Sequence, residues 1–182
     1  MKDLYKHKYR ISSCRLQSWN YGNPGMYFVT ICTKNREYYF GEIVAGEMEL
    51  SELGEIAKKE WMKTLELRPD MNLELGEFVV MPNHIHGIII IGDRRDAMHG
   101  VSTITNTKEQ QNHFSPQSKN LASIIRGYKS SVTTYARKNN LTFDWQPRFH
   151  DHIIRSMDNY NRISSYINNN PAKWLEDKFH IQ

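Results

Sequence analysis

The sequence predicts an α+β fold: an antiparallel sheet with helices packed on one face. Three observations carry that expectation. Short runs rich in Val, Ile, Tyr and Phe alternate with longer runs whose apolar residues recur at helical spacing. Some of the strand-like runs are too close together for a parallel crossover, so they must form antiparallel hairpins. The chain of 182 residues suffices for one domain with a substantial core.

Residues 1–25 form a polar, basic arm that contains Lys2, Lys6, Lys8, Arg10 and Arg15 and ends in the turn signal Tyr21-Gly22-Asn23-Pro24-Gly25. Residues 26–182 read as a single domain. Its first strand is Met26–Thr33. Glu37–Val44 and Glu47–Leu50 flank Ala45-Gly46 as a hairpin. Ser51 caps a helix that runs to about Leu67, with Leu53, Ile56, Ala57, Trp61 and Leu65 on one face. Pro69-Asp70 stops it. Leu73–Met81 is a strand, Pro82-Asn83 a turn, and a histidine-bearing strand continues to Ile91. Residues 93–119 break the composition with Asn, Gln, Ser, Thr and Lys, as a mobile loop would. Leu121–Lys138 is helical, with Leu121, Ile124, Ile125, Tyr128, Val132 and Tyr135 in phase. A short strand lies within Phe143–Ile154. Ser156 or Asp158 caps a helix to about Asn169, where Pro171 restricts its predecessor. Lys173–His180 reads as a last short helix.

Hydrophobic residues make up 39% and charged residues 24%, so the chain is globular rather than disordered. The net charge of +4 suits a polyanionic partner. No apolar run reaches 18 residues and no signal-peptide pattern opens the chain, so a cytoplasmic address with no membrane partner is expected. Cys14 and Cys32 fit neither a metal spacing nor a disulfide framework and read as inert thiols.

The chemistry concentrates in VVMPNHIHGIIIIG, residues 79–92. A strand's side-chain period of two sends His84 and His86 to the same face. An unpartnered buried imidazole costs about 1–3 kcal/mol. Two of them side by side therefore suggest a shared partner, either a divalent metal or ordinary hydrogen-bond acceptors at a sheet end. A metal would need a further ligand. Tyr166 and Asn170, at i and i+4, share one helical face and would meet the histidines if that helix packs there. Tyr166 also fits an amphipathic core position, and Asn170 a helix end before proline.

Other candidates have equally ordinary explanations. His150 and His152 are again two apart; Phe149 and Asp151 interrupt their face, which favours structural or DNA-contact roles over acid catalysis. If a tyrosine acts as a nucleophile, Tyr128 and Tyr135 rival Tyr166, but their spacing reads as core. Arg126, Lys129, Arg137 and Lys138 lie on a polar helix side that could hold a DNA backbone or face solvent, and Arg148 is a further phosphate contact. Tyr5, Tyr9, Trp19 and Tyr21 interleave with basic residues, as base stacking or simple packing would have it.

Three blocks together resemble the single-tyrosine HUH transposases, above all their REP-associated tyrosine transposase branch. They are YRISSCRLQSWNYGNPGMYFVTICTKNREYYFGEI, MPNHIHGI and WQPRFHDHIIRSMDNYNRISSYINNNPAKW. The resemblance covers most of the chain outside residues 93–119. It implies a ferredoxin-like sheet, magnesium or manganese held by His84, His86 and Asn170, and Tyr166 as nucleophile. Tyr166 would attack a phosphodiester of single-stranded DNA, form a 5′-phosphotyrosine linkage, release a 3′-hydroxyl and later allow strand joining. It further implies recognition of hairpin or palindromic repeat DNA, and with it a nucleoid-associated address, and it admits a homodimer; Arg10, Arg15, Arg126, Lys129 and Arg148 are the basic residues that could make such contacts. Two other classes remain in view. One is a non-catalytic hairpin-binding relative. The other is a histidine-based nucleotide phosphohydrolase, disfavoured by Ile88 where a third alternating histidine would fall.

Overall fold

Apolar residues at both parities of one strand determine the layering of this protein. In a computed structural model, which describes residues 19–92 and 119–180, His84–Ile91 is buried along its whole length. A strand covered on both faces must sit inside a sheet with packing on each side. The elements are β1 (Gly25–Cys32), β2 (Gly41–Val44), β3 (Glu47–Leu50), α1 (Glu52–Lys63), β4 (Leu73–Met81), β5 (His84–Ile91), α2 (Leu121–Lys138), β6 (His150–Ile154) and α3 (Met157–Asn169). The main sheet has the order β4-β5-β1-β6 and every pairing in it is antiparallel. Taken with α1 and α2 as crossovers, this is the ferredoxin-like arrangement. The β2–β3 hairpin is an addition before α1. Its turn places Ala45 and Gly46 at φ 52° and 84°, the left-handed pair that a tight two-residue hairpin requires.

The odd-numbered face of the central strands carries Tyr27, Val29 and Ile31 on β1 and Ile85 and Ile89 on β5. It packs against Leu53, Ala57 and Trp61 of α1 and Ile124, Tyr128 and Val132 of α2. Gly87 interrupts this face for a steric reason: a Cβ there would lie 2.3 Å from the Trp61 ring. The even-numbered face packs Met26, Ile88 and Ile90 against Ile163 and Ile167 of α3. The expected one-sided arrangement therefore holds for α1 and α2, while α3 covers the opposite face. Ile88 and Ile90 would otherwise be exposed, at a cost of about 1.5–3 kcal/mol each.

Local signals explain the boundaries. Ser51 Oγ accepts from Gly54 N at 3.1 Å and opens α1. That helix ends at Lys63 rather than near Leu67, and the following residues continue as turns. Asn120 and Ser123 form a reciprocal capping box at the start of α2. Ser156, not Asp158, caps α3. The expected strand from Glu37 begins only at Gly41, because Lys34–Arg36 forms a 3-10 turn with Asn35 and Arg36 at positive φ. The last segment is a 3-10 turn over Pro171–Glu176, followed by extended backbone at Asp177, instead of a helix over Lys173–His180.

Trp19 Nε1 donates to Tyr27 Oη at 3.1 Å, and both Trp19 and Tyr21 pack on the core. These two aromatics serve packing. Tyr5, Tyr9, Arg10, Cys14 and Arg15, and all but the last residue of the expected 93–119 loop, lie outside the described residues. Cys32 is buried and free, and burial pushes its thiol up. Among the described residues no helix is long and apolar enough to cross a membrane.

Candidate active site

His84 and His86 project from β5 toward α3, on the sheet face shared with Phe28 and Thr30. Cross-strand register places His86 opposite Thr30 and His84 opposite Cys32. Both imidazoles are buried, and their ring centroids are 4.5 Å apart. Each Nδ1 is oriented by a neighbour. His84 Nδ1 lies 2.9 Å from Asn83 Oδ1, and His86 Nδ1 lies 2.9 Å from Thr30 Oγ1. Asn83 is itself anchored, donating to Phe179 O at 2.8 Å and Arg36 O at 3.2 Å. With Nδ1 occupied on each ring, the two Nε2 atoms are left to face the site.

Tyr166 and Asn170 arrive from α3 and its C-terminal end. The Tyr166 oxygen lies 3.1 Å from His86 Nε2 and 3.4 Å from Asp177 Oδ2. Asn170 is buried and donates Nδ2 to Asp177 Oδ2 at 3.0 Å. Pro171 and the 3-10 turn after it bring Asp177 back under α3, where its Oδ1 also accepts from Phe179 N at 2.7 Å. The structure thus brings together all four residues singled out in the sequence and adds Asp177. No spacing announces Asp177; it enters through the fold of the tail. Thr30 and Asn83 were equally silent in the sequence, because a threonine in a strand and an asparagine in a turn need no special reason.

Electrostatics set the resting protonation. Burial lowers His84 well below the usual histidine range, helped by His86, Arg36 and Lys178. Burial likewise lowers His86 to about 3, against a weaker opposing pull from Asp177. Both are therefore neutral at neutral pH, the form that ligates metals. Burial and then Asp177 raise the Tyr166 phenol to about 12, so it rests protonated.

The donor set fits a metal ion. One ligand atom from each of His84, His86 and Asp177 falls within 4.8 Å of the others. His84 Nε2 and Asn170 Oδ1 are buried with no hydrogen-bond partner among the described residues. Native interiors rarely leave such atoms orphaned. Two unsatisfied acceptor-capable atoms beside a histidine pair are what a cation would satisfy.

The other candidates fall elsewhere. The Tyr128 hydroxyl is buried and donates to Ala57 O at 3.0 Å, and the Tyr135 hydroxyl donates to Glu52 Oε1 at 2.8 Å. Lys129 Nζ donates to Gln146 O at 2.7 Å and Arg148 O at 3.1 Å, so its ammonium braces the segment leading into β6. Arg126 and Arg148 are exposed, Arg148 at φ 68°. His150 and His152 pair with Thr30 and Phe28, which puts them on the active-site face. Phe149 packs toward the opposite core, while Asp151 lines the same cavity as the two histidines.

A solved REP-associated tyrosine transposase bound to a REP hairpin has the same fold, with a TM-score of 0.58 and 21% identity over 92% of this chain and 77% of that one. A Haemophilus influenzae protein described only as uncharacterized is 39% identical over 171 residues, 93% of this chain and 92% of that protein. The chain belongs to the same family as that Haemophilus protein. No family model matches.

Proposed function

We propose that this protein is a metal-dependent DNA transposase that cuts and rejoins single-stranded DNA through Tyr166. The observation that carries this reading is the meeting of the Tyr166 oxygen with His86 Nε2 at 3.1 Å, beside the orphaned His84 Nε2 and Asn170 Oδ1. The fold shared with a transposase solved on a REP hairpin supports hairpin DNA as the substrate class.

In this reading Tyr166 Oη attacks the phosphorus of a phosphodiester. The P–O3′ bond breaks, the 5′-phosphate is held on tyrosine, and a 3′-hydroxyl departs. Covalent capture conserves the linkage, so a later 3′-hydroxyl can reverse the step. The phenolic proton has an acceptor within reach in Asp177 Oδ2 at 3.4 Å. Thr30 and Asn83 hold the two imidazoles by their Nδ1 atoms, while α3 keeps the nucleophile in line with them. His84, His86 and an oxygen of Asn170 or Asp177 would hold magnesium or manganese, which supplies charge compensation on the scissile phosphate's oxygens. Histidine mixed with oxygen donors suits such labile ions better than a structural zinc.

Incubation with hairpin DNA carrying single-stranded flanks, with manganese or magnesium, tests this. A protein–DNA band that survives denaturing electrophoresis is expected for the wild type and is lost in Tyr166→Phe. Binding without any such band, across several hairpins and both metals, would replace the proposal with a non-catalytic hairpin-binding role.

A further inference from the structure

A second concavity adjoins the histidine–tyrosine cluster, on the side of β6. Its volume is about 370 Å³, and Phe28, Thr30, Arg36, His150, His152 and Phe179 line it together with one carboxylate, Asp151. The walls are shared with the candidate active site. Thr30 is the residue that orients His86. The Phe28 ring lies 5.1 Å from the His86 ring and 6.2 Å from the Tyr166 ring. Phe179 lies 4.5 Å from the His84 ring.

The lining combines three chemistries. Phe28, half-buried, offers aromatic surface, while Phe179 is 4% exposed and backs the wall. The Arg36 guanidinium sits 4.1 Å over the Phe179 ring, and its Nη1 is buried with no hydrogen-bond partner among the described residues. Lys178 adds a second cation to the lining, 4.9 Å from the same ring. Opposite in sequence terms, His150 and His152 are both exposed side chains on β6, the edge strand of the sheet. They can donate or accept hydrogen bonds. Aromatic faces, paired cations and ring nitrogens are what a base with its phosphate asks for. The volume is near the lower end for small-ligand sites, enough for one nucleotide and too little for a duplex. An edge strand leaves the cavity open along a line that a single strand could follow.

We infer that this cavity seats one unpaired nucleotide of a DNA single strand, adjacent to the phosphate that Tyr166 attacks, with its phosphate on Arg36 and Lys178 and its base against Phe28 and the His150/His152 pair. The inference rests on the transposase reading for the phosphate's identity, but the pocket's preference for a base is measurable without cleavage.

The test uses the full chain carrying Tyr166→Phe, so that binding is read apart from chemistry. The probes are a fluorescein-labelled ten-residue oligothymidylate and its fully abasic counterpart. The intact oligomer should bind about tenfold more tightly than the abasic one. The double variant His150→Ala/His152→Ala, at exposed positions, should erase that difference; Arg36→Gln should weaken both probes. A 5-iodouracil oligomer should crosslink, on irradiation, to the peptide bearing Phe28 or that bearing His150 and His152. Equal binding of the two oligomers, or a double variant indistinguishable from its parent, overturns the pocket assignment, as does crosslinking confined to other surfaces. A wild-type chain that still forms the tyrosine adduct in that case leaves the transposase reading standing. Base-dependent binding together with no adduct on any hairpin supports the pocket and removes the transposase reading instead.

Discussion

His86 is caught between solvation and function. Its imidazole is almost fully buried, touches Thr30 on one nitrogen and Tyr166 on the other, and has a folded pKa of about 3 against an ordinary 6.5. The unfolded chain therefore binds a proton that the folded chain refuses. The stability this contributes is fully present above about pH 6.5 and is lost as pH falls toward 3, at up to about 1.4 kcal/mol per pH unit. His84 shifts in the same direction. Thermal unfolding of the metal-free protein should show this acid slope, and His86→Asn should flatten it. Asp177 acts on the opposite partner. Its carboxylate adds to burial in raising Tyr166 to about 12, so Asp177→Asn should lower the phenol's pKa, as read by NMR titration of labelled tyrosine. An unchanged value would mean that burial alone sets it. At this scale the sequence was partly legible. The histidine pair and the Tyr166/Asn170 pair follow from strand and helix periods. Asp177 did not, because the chain leaves the helix at Pro171 and a 3-10 turn followed by extended backbone, not a continued helical period, brings it back. Lys129 read as either a DNA-backbone contact or a solvated cation, and its ammonium is taken up by two carbonyls.

Elements explain why these residues meet. β5 presents isoleucines at one parity to α1 and α2 and histidines followed by isoleucines at the other to α3. Gly87 is the concession that lets Trp61 close the first core. Gly87→Ala should destabilise the fold by about 1–3 kcal/mol in urea unfolding, through overpacking against an indole that has nowhere to go. A change below the error of that measurement would show that Trp61 can move. The main strands, their hairpin pairings, the cap at Ser51 and, as one of two candidates, the cap at Ser156 were readable locally. Which face α3 would cover was not. Its amphipathic pattern specifies an apolar stripe, while the choice of sheet face depends on Ile88 and Ile90 being left open after α1 and α2 have packed.

For the whole molecule, the ferredoxin-like sheet packs α1 and α2 on one side and carries both α3 and the candidate site on the other. The even face runs from β5 across β1 to β6, carrying His84, His86, Thr30, Phe28, His150 and His152 in one continuous strip. A cation bound at the histidine end should stabilise the folded state only. At a concentration one hundred times its Kd, manganese should add about 2.7 kcal/mol. The resulting rise in melting temperature should disappear in His84→Ala. A shift that persists in that variant would place the ion elsewhere.

The account stands or falls on where the DNA becomes attached. After reaction with hairpin DNA, denaturation and nuclease trimming, tandem mass spectrometry should find a nucleotide phosphate on the peptide containing Tyr166 and localised to that side chain. Attachment to a histidine, or to any other tyrosine, would contradict it.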